Sequence, residues 1–248
     1  VPVLGAMSRN KTLKRFVLRD LPLDEPSCLQ AAHGMTSSES ITVIDLSNTS
    51  MGPKGGLMVV NRLPKVSHRI TYLDLSQNQI GPVGCIPISI SLQDSACSIK
   101  TLYLQGNNIA DEGARFVIKG MKNNVSLTDC SLADNALTDD IAEELADVAR
   151  GLYRDGKKIS DCQLKRLCVS DNPKIGFNGS KLLARAMLSP NFKFVEMANI
   201  GAGPGTAKLI SDGIRDVNMN WQFADLSGNV MSRSGLNHIF WALRQNRS

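Results

Sequence analysis

Aromatic side chains are scarce in this chain, with 7 Phe, 3 Tyr and 2 Trp among 248 residues. That scarcity argues against a surface built on base stacking. A formal net charge of +5 is also too mild to act as a nucleic-acid footprint without a concentrated patch. No nucleic acid is therefore expected among the partners. Histidine is rarer still: His33, His68 and His238 stand far apart, none beside a nucleophile or a second metal ligand. The spacing supports neither a catalytic triad nor a zinc site, and no catalytic, metal or cofactor-binding residue is expected.

Other absences bear on location. No apolar run is long enough to span a bilayer, and the opening stretch VPVLGAMSRNKTLKRF lacks the ordered regions of a signal peptide. The six cysteines, Cys28, Cys85, Cys97, Cys130, Cys162 and Cys168, form no CxxC pair and no clustered framework. Scattered thiols suit a reducing compartment, so the expected location is cytoplasmic. Sequons begin at Asn10, Asn48, Asn124, Asn178 and Asn246, but a pattern this short arises readily by chance.

What the chain does have is a repeat. Ile70, Leu73, Leu75, Asn78, Ile80 and Gly84 recur at the same spacing as Ile99, Leu102, Leu104, Asn107, Ile109 and Gly113. The pattern returns at Leu127, Cys130, Leu132, Asn135 and Leu137, with Ile141 in the glycine place. Looser copies start at Leu13, Ile41, Leu164, Phe192 and Trp221, the last restoring Asn229, Met231 and Gly235. The eight starts are 28 or 29 residues apart, except for an interval of 37 between 127 and 164. The spacing L-x-x-L-x-L-x-x-N-x-L is a leucine-rich repeat signature.

Within each copy, alternation points Leu73 and Leu75 inward and Tyr72, Asp74 and Ser76 outward. Helical patterns follow at 114–124, 141–154 and 180–191. No single copy can bury its apolar face alone. Stacked, the copies give an α/β solenoid with parallel strands on the inner curve, helices on the outer one and a continuous core between them. Gly84 is expected to ease the chain into its helix. The whole of 1–248 reads as one repeat domain, with an extended inter-repeat loop at 151–163. Neither end carries a polar capping repeat, so a segment of a longer array is expected.

The step length and the amphipathic helix after each strand resemble the ribonuclease-inhibitor-like class of leucine-rich repeats, over essentially the whole chain. That resemblance implies a horseshoe fold. It does not choose a function, since the class hosts inhibitors, scaffolds, sensors and GTPase activators. Residues 10–28, NKTLKRFVLRDLPLDEPSC, and 41–55, ITVIDLSNTSMGPKG, resemble the repeat region of the CARMIL actin-regulating linkers. There the repeats are a scaffold and the capping-protein segment lies beyond them, so no functional residue carries over.

The residues offer four chemical readings. The asparagines Asn78, Asn107, Asn135, Asn172 and Asn229 form a row that could be a polar ligand site. One repeat position shared by all five favours a turn-securing role, with each amide pairing with backbone groups leaving the strand. Thr49 and Ile200 interrupt the row and need other partners. The glycine-rich stretch NIGAGPGTAK, 199–208, sits between a strand and a helix, but its G-x-G-x-G spacing and lack of a following Lys-Ser/Thr pair match no phosphate loop. Cys168 faces outward without a histidine in its repeat, which leaves a reactive thiol as the lesser reading. A GTPase activator would need a rim arginine such as Arg19 or Arg154.

Partner docking is the reading the repeat frame supports best. The outward middle position carries Val17, Asp45, Asp74, Tyr103, Ser131, Cys168, Glu196 and Asp225. Two residues earlier stand Arg15, Val43, Tyr72, Thr101, Asp129, Arg166, Phe194 and Phe223. The inner curve is thus expected to present an acidic line with aromatic anchors for a protein partner. The candidate contact residues are Tyr72, Asp74, Tyr103, Asp129, Arg166, Phe194, Glu196, Phe223 and Asp225. The long interval supplies a second surface, with Arg154, Lys157 and Lys158 on a basic loop that could meet an acidic protein or a membrane surface. The expected function is a non-catalytic interaction scaffold, with actin cytoskeleton regulation as its narrower form. The alternatives are a GTPase activator and a pathogen or host sensor module.

Overall fold

The structure is a computed structural model and describes residues 10–150, 153–154, 157–158, 161–216 and 219–245. Eight short strands pair in parallel in chain order: β1 (Arg15–Val17), β2 (Val43–Asp45), β3 (Tyr72–Asp74), β4 (Thr101–Tyr103), β5 (Asp129–Ser131), β8 (Arg166–Cys168), β9 (Phe194–Glu196) and β10 (Phe223–Asp225). A separate antiparallel pair, β6 (Tyr153–Arg154) with β7 (Lys157–Lys158), occupies the long interval. Eight helices alternate with the main strands: α1 (Glu25–Ser37), α2 (Gly52–Val60), α3 (Gly81–Gln93), α4 (Ala110–Met121), α5 (Asp139–Arg150), α6 (Gly176–Met187), α7 (Pro204–Asp216) and α8 (Ser232–Gln245). This is the leucine-rich repeat solenoid that the periodicity predicts, with every strand starting at the same place in its copy.

The register shows why the period works. Phe16, Ile44, Leu73, Leu102, Cys130, Leu167, Val195 and Ala224 are consecutive Cα partners across the sheet. The run from Ile44 to Val195 is buried and joins one continuous apolar core with the inward faces of the helices. An apolar side chain at this place touches its counterparts in the copies on both sides, so each repeat's core is completed by its neighbours.

Each turn that leaves a strand is built on a left-handed residue. Asp20, Asn48, Gln77, Gly106, Asp134, Asp171, Asn199 and Gly228 occupy one repeat position and have φ from +49° to +66°. Five of these eight are Asp or Asn and two are Gly, the residue types that tolerate this conformation. The asparagine row follows immediately. Asn78 donates through Nδ2 to the carbonyls of Leu46 and Leu75, and its Oδ1 accepts from the N–H of Thr49. Asn107, Asn135, Asn172 and Asn229 serve the turn before them in the same way. Thr49, lacking an amide, donates its hydroxyl to Leu46 O and Asn78 Oδ1, while Ile200 has no side-chain donor and its N–H donates to Asn229 Oδ1.

Three sequence expectations change. The pattern at 141–154 extends a helix through Tyr153 and Arg154, but α5 ends at Arg150 and those two residues pair with Lys158 and Lys157. The residues between them in sequence are Asp155-Gly156, the dipeptide that favours a tight hairpin over helix continuation. Gly84 lies inside α3 rather than at its entry, and the left-handed entry residue is Gly81, with φ +68°. Gly84 and Gly113 instead allow close packing. A Cβ on Gly113 would stand 2.7 Å from Ile109 Cβ and 3.1 Å from Cys85 Sγ in the preceding repeat. The helices at 110–121 and 176–187 also begin four residues before the expected starts.

Candidate docking face

The strand side chains that point away from the core form a polar face, and its acids are largely engaged within the chain. Asp45 is 4% exposed and Asp74 7% exposed. Asp45 accepts from the N–H and hydroxyl of Ser47, at 3.1 and 2.7 Å, and from Arg19. Asp74 accepts from the Ser76 N–H at 3.0 Å, and Asp225 accepts from both the N–H and hydroxyl of Ser227. Asp-x-Ser is thus a turn device at three strand ends, with the carboxylate tying down the backbone two residues on. Burial alone would raise the Asp45 pKa, but the bonds from Ser47 and Arg19 outweigh it and hold the carboxyl below the usual range.

The most structured part of the face crosses β3, β4, β8 and β9. The rings of Tyr72 and Tyr103 meet edge to face, with centroids 5.7 Å apart and an interplanar angle of 81°. Tyr72 donates its hydroxyl to Asp74 Oδ2 at 3.4 Å. Arg166 sits with its guanidinium carbon 5.8 Å from the Tyr103 ring centroid, donates to the Tyr103 hydroxyl at 3.4 Å and pairs with Glu196 at 2.6 Å. Burial works against the charge on Arg166, yet Glu196 outweighs it and raises the guanidinium pKa. Burial, followed by the neighbouring Asp74, pushes Tyr72 up to about 12. An aromatic pair capped by a cation with its counter-ion is a rigid cluster, since each side chain fixes the next.

This cluster forms part of the floor of an open groove of about 500 Å³, whose lining includes Arg19, Asn48, Gln77, Tyr103, Arg166 and Glu196. The lining is mixed in polarity and offers amides, hydroxyls and a guanidinium edge. Among the described residues no group of three His, Cys, Asp or Glu could hold a metal ion.

The expected contact residues therefore divide. Tyr72, Tyr103, Arg166 and Glu196 come together, while Asp74 is a largely buried acceptor of Tyr72 and Ser76 that also lines the groove. Asp129 is the register partner of Arg166 and accepts from the Thr128 hydroxyl at 2.6 Å. Phe194 and Phe223 are register partners at the other end of the sheet, beside Glu196 and Asp225. The side chains of Arg154, Lys157 and Lys158 lie outside the described residues, as do residues 151–152, 155–156 and 159–160 of the loop at 151–163. Arg19, the candidate rim arginine, is engaged by Asp45 and Ser47. Cys168 is buried and its thiol pKa is raised by that burial, contrary to a reactive role.

The glycine-rich stretch has a packing role. A Cβ at Gly203 would stand 2.7 Å from the Phe177 ring and one at Gly205 2.5 Å from Lys181, both on the preceding helix.

Sequence reasoning missed Gln77 and Gln105, which line the groove together with Arg19. Extending the outward alternation past each strand into its turn would have found them. It also missed Val83, Ile86 and Ile90, an exposed apolar stripe on the outer side of α3. Their i, i+3, i+7 spacing is visible in GPVGCIPISISLQ.

Comparison with known proteins agrees with this architecture. A family described as "Leucine Rich repeat" matches residues 66–89 and 95–117, the windows that hold the two clearest copies. A Mus musculus protein named "NACHT, LRR and PYD domains-containing protein 5" is 28% identical over 161 residues, covering 64% of this chain and 11% of that protein. The chain spans about a tenth of the length of that curated relative.

Proposed function

We propose that this leucine-rich repeat chain is a non-catalytic module that holds a protein partner on the solvent-facing side of its sheet. The observation that carries the reading is the Tyr72–Tyr103–Arg166–Glu196 cluster. It places two half-buried aromatic rings and a braced guanidinium on a rigid sheet, with Tyr103, Arg166 and Glu196 lining an open groove. Tyr and Arg are the residue types on which binding energy concentrates, and their pre-ordering lowers the entropy lost on docking.

The test compares the proteins captured from cell lysate by the unaltered chain and by a Tyr72→Ala, Tyr103→Ala, Arg166→Ala variant. Circular dichroism establishes that the variant is folded. Loss of the captured set supports the face, and an unchanged set removes it. Hydrolysis of GTP by a panel of small GTPases tests the non-catalytic half. Acceleration by the chain that disappears with Arg19→Ala would overturn it.

The narrower proposal, regulation of the actin cytoskeleton, is supported by the likeness of residues 10–28 and 41–55 to the CARMIL repeat region. A change in actin assembly on adding the purified chain would favour it, and no change would remove it. A cytoplasmic location is proposed from the unpaired cysteines, all six free and buried. Imaging of a tagged chain decides that point.

A further inference from the structure

The far side of the repeat formed by β10 and α8 is an apolar socket. A cavity of about 330 Å³ opens there, and its lining includes Trp221, Ala224, Leu226, Leu236, Phe240 and Leu243. The repeat frame identifies what these residues do elsewhere. Leu236, Phe240 and Leu243 hold the places of Cys85, Ser89 and Leu92 in the repeat of β3 and α3. Those three are buried, at 0%, 3% and 0% exposure, whereas Leu236, Phe240 and Leu243 are 43%, 65% and 51% exposed.

What covers the inner copy of the socket is visible in the structure. The following helix α4 lies against it through two glycines: a Cβ on Gly113 would meet Cys85 Sγ at 3.1 Å, and one on Gly120 would meet Leu92 Cβ at 2.9 Å and Ser89 Cα at 3.0 Å. The backbone repeats the same message. Leu75 N–H donates to Tyr103 O, and Asn78 and Ile80 both donate to Asn107 Oδ1, all in the following repeat. The counterparts of these donors are the N–H groups of Leu226, Asn229 and Met231. Among the described residues no acceptor meets them, and β10 has a paired strand on one side only.

The geometry points to one specific occupant: a further leucine-rich repeat, added to β10 in parallel and in register. It carries small residues at the two helix places of Gly113 and Gly120, and an asparagine whose Oδ1 takes the N–H groups of Asn229 and Met231. An unmatched sheet edge alone would accept many extended segments. Here the edge, the asparagine acceptor and the apolar helix face must all be matched at once, and the inner junctions at which Asn78, Asn107, Asn135, Asn172 and Asn229 accept show the kind of unit that does so. The inference is independent of what docks on the sheet face.

The experiment appends a copy of residues 99–126 directly after Ser248, so that the copy begins 28 residues beyond Trp221, the spacing of the inner repeats. The background is Trp241→Phe, which leaves Trp221 as the sole tryptophan reporter of the two in the chain. The expected results are added helical signal, a blue shift of Trp221 emission, and amide exchange slowed about tenfold or more across residues 222–231. A second version alters the copy's counterparts of Leu102 and Asn107 (Leu102→Asp, Asn107→Ala) and is expected to lose all three effects. Unchanged exchange and emission with the unaltered copy overturn the proposal, as does a copy that adds no helix. Light scattering of the unextended chain supplies the remaining outcome. A dimer with residues 222–231 already protected would assign the socket to a second copy of the chain and also overturn it.

Discussion

Asn107 accepts the backbone N–H of Asn78 at 3.2 Å and, through its own Nδ2, donates to Leu75 O at 2.9 Å in that same preceding repeat. One side chain therefore closes two turns, its own and its neighbour's, because it also donates to Leu104 O. Asn107→Ala would leave the N–H groups of Asn78 and Ile80 buried without their acceptor. The expected loss of stability is about 3 kcal/mol, read by chemical denaturation. A loss below about 1 kcal/mol would mean that water replaces the amide.

The same close stacking predicts the effect of filling a glycine. Gly120→Val sets a branched side chain where even a Cβ would stand 3.0 Å from the Ser89 backbone. Because α3 and α4 would have to move apart, destabilisation of about 2 kcal/mol or more is expected in thermal or urea unfolding.

Tyr72 makes stability depend on alkaline pH. Its pKa rises on folding from 10.0 to about 12, so over that interval the unfolded chain has lost the phenolic proton that the folded chain keeps. The contribution is complete below the unfolded value and is lost as pH rises through the folded one. Tyr72→Phe is expected to flatten the decline in stability between roughly pH 10 and pH 12. An identical slope in the variant would place the titration elsewhere.

All six cysteines are buried and unpaired. Burial pushes the thiols of Cys85 and Cys162 up to about 12 and also raises those of Cys28, Cys130 and Cys168. A thiol reagent at neutral pH is therefore expected to react slowly with the native chain and with all six groups after denaturation. A fast equivalent assigned to Cys168 by mass spectrometry would revive its reactive reading.

Val83, Ile86 and Ile90 predict the opposite of a core effect. Replacing all three with lysine should change stability by no more than about 0.5 kcal/mol per site, since they already face solvent. Solubility should rise, as measured by the concentration at which the chain begins to aggregate.

The sequence by itself determined the repeat, the start of every main strand and the division of strand residues into inward and outward rows. The reason is that a solenoid buries each apolar row against the same row of the next copy, so the period in the chain is the period in space. It also identified the asparagines as turn residues, since recurrence at one place is what a structural role produces. The left-handed row from Asp20 to Gly228 was legible too, in its Asp, Asn and Gly content, had the frame been read one position earlier. Only the tertiary structure decided how the outward residues share their charges. In sequence, Asp74 and Glu196 are two acids of one line. In space, Asp74 is largely buried and accepts from Tyr72 and Ser76, and Glu196 braces Arg166 from the next strand. The "LDLS" aspartate is absorbed by its own turn because a carboxylate beside a serine two residues on finds its partner locally. Which charges remain for another molecule depends on side chains from different repeats meeting across the sheet, and a pattern within one repeat does not encode that.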